Sequence, residues 1–99
     1  MEFLVNIRFL DTSAHLTPEE HKELVVVERQ HAARLAEQGK LIRMWRVPGR
    51  RENWGLWNAD DATDLHQTLS GLPFWPYMDL DVHPLAQHPV DPTAPGVGP

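Results

Sequence analysis

Glu28 has the surroundings that most clearly suggest chemistry, because it lies among apolar neighbours in a segment of good helix formers. At 100° per residue these neighbours gather on one side of a helix, with Glu28 near its middle. They are Leu24, Val25, Val27, His31, Ala32 and Leu35. Burial raises the pKa of a carboxyl group toward neutrality, which suits a general acid and base at pH 7. The alternative interpretation is a carboxylate at the rim of this side, paired with Arg8 or Arg46.

His31 follows Glu28 by one helical turn, and Glu-x-x-His on a helix can bind iron or manganese. Such a site needs further carboxylates and a second copy of the motif on another helix, and the chain has no second copy. We therefore expect no metal site. His31 is then either a packed, hydrogen-bonded side chain or part of the same pocket as Glu28. His66, on a later helix, is expected at the boundary of the core.

The segment "MWRVPGRRENWG" concentrates positive charge in a chain whose formal net charge is −5. Its arginines are Arg43, Arg46, Arg50 and Arg51. A guanidinium group binds a carboxylate through two parallel hydrogen bonds, and Arg46 lies deeper in its predicted strand than Arg50, which makes it the better candidate for a buried anion site. Asn53 offers a neutral donor on the neighbouring strand, and Gly55 indicates a bulge or a close approach by ligand or backbone. Arg50 is expected at a solvated hairpin tip.

Composition excludes several classes of function. A net charge of −5 argues against binding to nucleic acids and to anionic membranes. The chain has no cysteine, so it has no disulfide and no thiol-metal site. It contains no glycine-rich phosphate loop, no apolar run of membrane-spanning length and no secretory signal at its start. We expect a cytoplasmic protein.

Hydrophobic periodicity predicts six elements in the order β-α-β-β-α-β. The strands are expected at 3–9, 40–47, 51–57 and 77–83, and the helices at 18–38 and from Asp60 or Asp61 to Gly71. Thr17, Pro18 and Glu20 form a capping box before the first helix. The expected fold is α+β and ferredoxin-like, with a four-stranded antiparallel sheet and two helices on one face. Self-association would cover the other face.

Two features complete the predicted organisation. The proline- and aromatic-rich corner "GLPFWPY" ends the second helix and sets Phe74, Trp75 and Tyr77 at a subunit interface or pocket wall. From Pro84 the chain loses its periodicity. We place the domain at residues 1–88 and a Pro- and Gly-rich tail at 89–99.

Three segments resemble the muconolactone Δ-isomerases: "MEFLVNIRF", "MWRVPGRRENWGLW" and "LHQTLSGLPFWPYMDLDVHPLAQHP". The resemblance runs over residues 1 to about 89, and its most specific part is the block at 72–79. It implies a cofactor-free enzyme that assembles into dimers and then a homodecamer. It also implies conversion of muconolactone to 3-oxoadipate enol-lactone in catechol degradation, the β-ketoadipate pathway.

The resemblance also implies roles for individual residues. Glu28 matches the glutamate of the family's first helix and would be the base, while Arg46 would hold the substrate carboxylate and Asn53 the carbonyl oxygen. Arg51 stands where an aromatic residue is expected, which puts the substrate in question. The alternatives are another activity of dimeric α+β barrels, such as a monooxygenase or a polyketide cyclase, and a non-catalytic module that binds small molecules.

Overall fold

The computed structural model describes residues 1–93 and has the predicted order of elements. The strands are β1 (Glu2–Phe9), β2 (Leu41–Arg46), β3 (Glu52–Asn58) and β4 (Met78–Leu85), and the helices are α1 (Pro18–Glu37) and α2 (Ala62–Ser70). A short 3₁₀ helix, Trp75–Tyr77, precedes β4. Neither helix combines the length and the apolarity that crossing a membrane requires. Residues 94–99 of the predicted tail lie outside the described residues.

The four strands form one antiparallel sheet in the order β2-β3-β1-β4, which confirms the ferredoxin-like prediction. In the central strand β1, Phe3, Val5 and Ile7 are almost completely buried. Their side chains share one core with Leu35 of α1 and Leu65 of α2. Both helices therefore cover the same face of the sheet, which we call the helix face.

Helix α1 begins as its sequence predicts. The Thr17 side chain accepts a hydrogen bond from the Glu20 backbone N–H, and the Glu20 carboxylate accepts one from the Thr17 N–H, each at 3.1 Å. Pro18 occupies the first turn, where its missing N–H costs nothing. Just past the C-terminal end Gly39 has a φ of 74°, which a residue with a Cβ adopts only with strain.

The buried side of α1 differs from the predicted side at one position. Val27 was expected in the apolar stripe, but its exposed fraction is 47%. The side that faces the sheet contains Leu24, Val25, Glu28 and Leu35. Val27 precedes Glu28 by one residue, which turns it about 100° away around the helix axis. Glu28 nevertheless lies on the buried side.

Strand β4 runs two residues past its predicted end at His83, through Pro84, where the periodicity is lost. Pro84 lies within β4, opposite Phe3, and the strand ends at Leu85. The prediction was wrong here because β4 is an edge strand. Proline has no N–H for a ladder, and an edge strand tolerates it where that side faces solvent.

No helix of residues 1–93 covers the opposite face of the sheet, which we call the open face. Arg8 lies there between two carboxylates, with N–O distances of 3.0 Å to Asp79 and 2.9 Å to Asp81. Arg8 also donates to Asn6, which is only 4% exposed. Arg43 stacks over the Trp45 ring, 4.9 Å from its centre. Self-association across this face stays a prediction.

Candidate active site

A cavity of about 290 Å³ lies on the helix face, between α1 and the ends of three strands. Its lining comes from four parts of the chain: Phe9 and Leu10 after β1; His21, Val25, Glu28 and Arg29 on α1; Arg46, Arg51 and Asn53 on the β2–β3 hairpin; and Phe74 in the corner before β4. Most of the polar candidates predicted from the sequence therefore meet around one small space.

Helix and strand periodicity place the polar groups. His21, Val25 and Glu28 follow one another at helical spacing, so they share the side of α1 that faces the sheet. Arg46 pairs with Asn53 across the hairpin, and Asn53 pairs with buried Ile7. Directly paired residues point to the same face of a sheet, so Arg46 and Asn53 both point to the helix face.

Glu28 is half-buried, and its Oε2 accepts a hydrogen bond of 3.1 Å from the Phe74 backbone N–H. Burial raises the pKa of Glu28, and the hydrogen bond from Phe74 partly opposes that rise. Within residues 1–93 Glu28 makes no salt bridge, and Arg8 is bound to aspartates on the open face instead. The alternative of a Glu28 paired with Arg8 or Arg46 is therefore not what the structure contains.

Three arginines line the same cavity: Arg29, Arg46 and Arg51. In the described part of the chain none of them makes a salt bridge with a carboxylate. Among residues 1–93, Glu28 is the one acidic residue of the lining, so positive charge prevails there. The Arg51 backbone is held in place, since its carbonyl accepts a 3.0 Å hydrogen bond from the Phe9 N–H.

Gly55 does mark a close approach, although the approaching group is a side chain. A Cβ at Gly55 would lie 2.6 Å from Trp57 Nε1 and 3.2 Å from Met44 Sδ. Trp57 is 1% exposed, and its Nε1 has no hydrogen-bond partner within residues 1–93. Glycine is therefore needed at this position to admit the indole ring to the core.

The histidines divide between the cavity and other surfaces. His31, which the sequence proposed for the pocket, is absent from its lining, and its Nδ1 lies 3.3 Å from Arg34 Nη2. His66 packs edge-on against Trp75, with ring centres 5.7 Å apart. His21 does line the cavity, and its ring lies 5.9 Å from that of Phe74. Sequence reasoning missed His21, although its place two turns before Glu28 was a usable signal.

The aromatic corner supplies one wall of the cavity. Phe74 is 7% exposed, and its ring meets Phe9 edge-on at 5.6 Å between ring centres. The corner thus holds both an apolar wall and the backbone N–H that orients Glu28. The three guanidinium groups, which make no salt bridge within residues 1–93, can bind a small anion. The half-buried carboxyl group can then transfer a proton at a carbon of that ligand.

Comparison with known proteins agrees on one family. Residues 1–91 match the family described as muconolactone delta-isomerase. The muconolactone Delta-isomerase of Pseudomonas aeruginosa is 34% identical over 74 residues, which are 75% of this chain and 77% of that protein. That of Cupriavidus pinatubonensis is 40% identical over 62 residues, 63% of this chain and 67% of that protein.

Solved structures give the same result. A crystal structure of muconolactone isomerase superposes with a TM-score of 0.84 at 30% identity, covering 95% of this chain and 97% of that one. A 5-chloro-2-hydroxyhydroquinone dehydrochlorinase from Burkholderia phenoliruptrix superposes with a TM-score of 0.60 over 89% of this chain and 96% of that one. At 14% identity the second likeness concerns the fold alone.

Proposed function

Since the chain belongs to the muconolactone Delta-isomerase family and is an isomerase, we propose that it converts muconolactone to 3-oxoadipate enol-lactone with Glu28 as base and acid. The observation that carries this proposal is the half-buried Glu28 carboxylate, which has no salt bridge in residues 1–93 and faces a cavity lined by arginines. The reaction belongs to catechol degradation by the β-ketoadipate pathway.

The substrate is a five-membered unsaturated lactone with a carboxymethyl arm. The Glu28 carboxylate removes the ring proton on the carbon γ to the carbonyl, and the electrons of that C–H bond move into the ring. A dienolate results, with its negative charge largely on the carbonyl oxygen. Protonated Glu28 then returns the proton to the α carbon, so the double bond has moved and no atom is lost.

Burial of Glu28 assists both steps. Because its pKa is raised, the carboxylate is a stronger base than an exposed glutamate, while its acid form is available to return the proton. The hydrogen bond from the Phe74 N–H holds one oxygen of the carboxyl group. The other oxygen is left to reach the γ and α carbons of the lactone, since both can be approached from the same face of this small ring.

Arg46 and Asn53 have complementary tasks in this proposal. Arg46 binds the carboxylate of the substrate arm, which a guanidinium group does through two parallel hydrogen bonds. Asn53 donates a hydrogen bond to the carbonyl oxygen, where negative charge develops in the dienolate. Their pairing across the hairpin supports this division, because it holds the two side chains next to each other on the helix face.

The proposal extends to assembly and location. We propose a homodimer that assembles further into a decamer, with the open face as a contact surface. Leu4, Trp54 and Leu56 on that face are only half-buried in the single chain, so association would remove further apolar area from water. A cytoplasmic location and the absence of a cofactor from the reaction are parts of the same proposal.

The test is an ultraviolet assay of purified protein with muconolactone, in the wild type, Glu28→Gln and Glu23→Gln. Glu23 is the matched control, because it is an exposed glutamate on the same helix. We expect Glu28→Gln to lower kcat by about 10²–10⁴-fold, the usual contribution of general acid–base catalysis. Glu23→Gln should behave like the wild type. A folded wild type that does not turn over muconolactone would contradict the proposed substrate, and an active Glu28→Gln would contradict the proposed base.

A further inference from the structure

We infer that the site continues past Arg51 into a second cavity, where it receives a second acidic group carried by the ring of the substrate. This inference rests on the proposed function, because it takes the same lactone chemistry as its starting point. It concerns a part of the site that the proton transfer itself does not use.

The second cavity, of about 470 Å³, lies between the N-terminal part of α1 and the loop that follows β1. Leu16, Lys22 and the loop residues Asp11–Ser13 contribute to its lining. His21 and Arg51 line both cavities, so they form the boundary between them. A ligand held near Glu28 therefore has space beyond Arg51 for a ring substituent.

The charge of this boundary selects the kind of substituent. Arg46 already serves the carboxymethyl arm in the proposed reaction, which leaves Arg51 without an assigned anion. Within residues 1–93 Arg51 makes no salt bridge. Lys22 adds a second cation to the lining of the far cavity. A carboxylate is well suited to two such cations, one of them a guanidinium that can bind it through two parallel hydrogen bonds.

In the described part of the chain, Asp11 is the one acidic residue that lines the second cavity, and it is already hydrogen-bonded within its own loop. Its Oδ1 accepts a 2.9 Å hydrogen bond from the Ser13 N–H, and its Oδ2 accepts a 3.0 Å bond from the Ser13 hydroxyl. These bonds, with a smaller contribution from the charge of Arg51, lower the pKa of Asp11. Asp11 thus stays ionised on its own loop and leaves hydrogen-bond donors of Arg51 free for a ligand.

The substrate class that fits is a butenolide with a carboxymethyl arm and a second carboxylate on the ring carbon β to the carbonyl. That carbon neither loses nor gains a proton in the isomerisation. The second carboxylate is therefore a spectator whose only interaction is with the Arg51 boundary. The bonds that break and form are the same as in muconolactone.

The test compares two synthetic lactones that differ in one group: muconolactone with a carboxylate on the β carbon, and the same lactone with a carboxamide there. The two substituents have nearly the same size and differ in charge. Their kcat/KM values are measured by ultraviolet absorbance or proton NMR with the wild type, Arg51→Gln and Arg50→Gln. Arg50 is the matched control, because it is the adjacent arginine, is exposed and lines neither cavity.

We expect the wild type to prefer the carboxylate over the carboxamide by about 10–100-fold, the usual range for a hydrogen bond to a charged group. Arg51→Gln should lower this preference at least about tenfold, and Arg50→Gln should keep it. A wild-type preference near one, or one that survives in Arg51→Gln, overturns the inference.

The two proposals fail in different ways. If the wild type turns over muconolactone but does not distinguish the β-carboxylate from the β-carboxamide, this inference is wrong and the proposed function stands. If it turns over the β-carboxylate lactone and not muconolactone, the proposed substrate is wrong and the inference is supported. If neither muconolactone nor the β-carboxylate lactone reacts, calorimetry measures the binding of the two β-substituted lactones to the same three proteins. The ratio of their dissociation constants then tests the inference in place of the ratio of kcat/KM values.

Discussion

The two faces of the sheet treat charged side chains in opposite ways. On the open face, Arg8 lies within 3.0 Å of carboxylate oxygens of both Asp79 and Asp81. On the helix face, Glu28 and Arg46 line one cavity, and in residues 1–93 neither makes a salt bridge. The same sheet therefore carries a neutralised charge cluster on its open face and a cluster without salt bridges on its helix face.

This difference separates structural charges from functional ones. A cation that is already surrounded by carboxylates has little binding capacity left and mainly holds its neighbours in position. On the helix face, Arg46 makes no salt bridge within residues 1–93, so its hydrogen-bond donors can bind an anionic ligand. Glu28 is half-buried there and keeps a raised pKa, which suits proton transfer. Substitutions on the helix face should thus affect catalysis, and those on the open face should affect stability.

The largest effect that sharpens this comparison is expected from two arginines of the same strand. Arg46 points to the helix face, while Arg43 stacks on Trp45 on the open face. We expect Arg46→Gln to lower kcat/KM for muconolactone by about 10–100-fold through loss of the charged hydrogen bonds. Arg43→Gln should stay within about threefold of the wild type. Equal losses in the two variants, measured by the ultraviolet assay, would remove the distinction between the faces.

A smaller effect, on stability and not on catalysis, is expected from a substitution of Asn6 on the open face. Its Nδ2 donates to Glu52 Oε2 at 3.0 Å and to the Asn53 carbonyl oxygen at 3.3 Å, and its oxygen accepts from Arg8. Asn6→Ala should lower the free energy of unfolding by about 1–3 kcal/mol, because it leaves these groups without their partner. Urea unfolding measures this loss. The kcat/KM of the folded variant should stay close to that of the wild type, and a large drop would contradict the separation.

The smallest effect concerns the stability of Glu28→Gln. Because folding raises the pKa of Glu28, its contribution to stability is complete below the unfolded pKa and is lost as the pH rises through the folded pKa. Glutamine keeps an oxygen for the Phe74 N–H and carries no charge. At pH 7 we expect Glu28→Gln to be more stable than the wild type by about 0.5 kcal/mol, a small gain because water screens a half-buried carboxylate.

The same difference should vanish at pH 4, where the wild-type carboxyl group is largely protonated. Urea unfolding of both proteins at pH 4 and pH 7 measures it. A variant that is less stable than the wild type at pH 7 would show that the fold stabilises the ionised Glu28 carboxylate, and Glu28 would then not differ in this respect from the paired charges of the open face.

Much of the fold was predictable because its signals are local. The capping box at Thr17, the alternation in β1 and the turn before Arg50 each follow from residues close in sequence. The placement of Glu28 on the buried side was local as well, because helical spacing determines it. Val27 was misplaced since the exact width of a buried stripe depends on what packs against it.

The rest of the candidate site depends on contacts between distant residues. The hydrogen bond from the Phe74 N–H to Glu28 joins residues 46 positions apart, and no pattern within either segment indicates it. His21 reaches the cavity because it meets Phe74, and the second cavity exists because Arg51 comes near the loop after β1. The strand character of Pro84 depended on the position of β4 at the edge of the sheet.

The edges of the sheet also bear on aggregation. An exposed edge strand invites a further strand from another molecule, which leads to fibrils. Here β4 carries Asp79, Asp81 and Pro84, and β2 is interrupted by a register shift between Leu41 and Arg43. Charges, proline and irregular pairing all discourage the addition of a strand. The sheet is thereby protected from growth along its edges, which lowers the tendency of the folded chain to form fibrils.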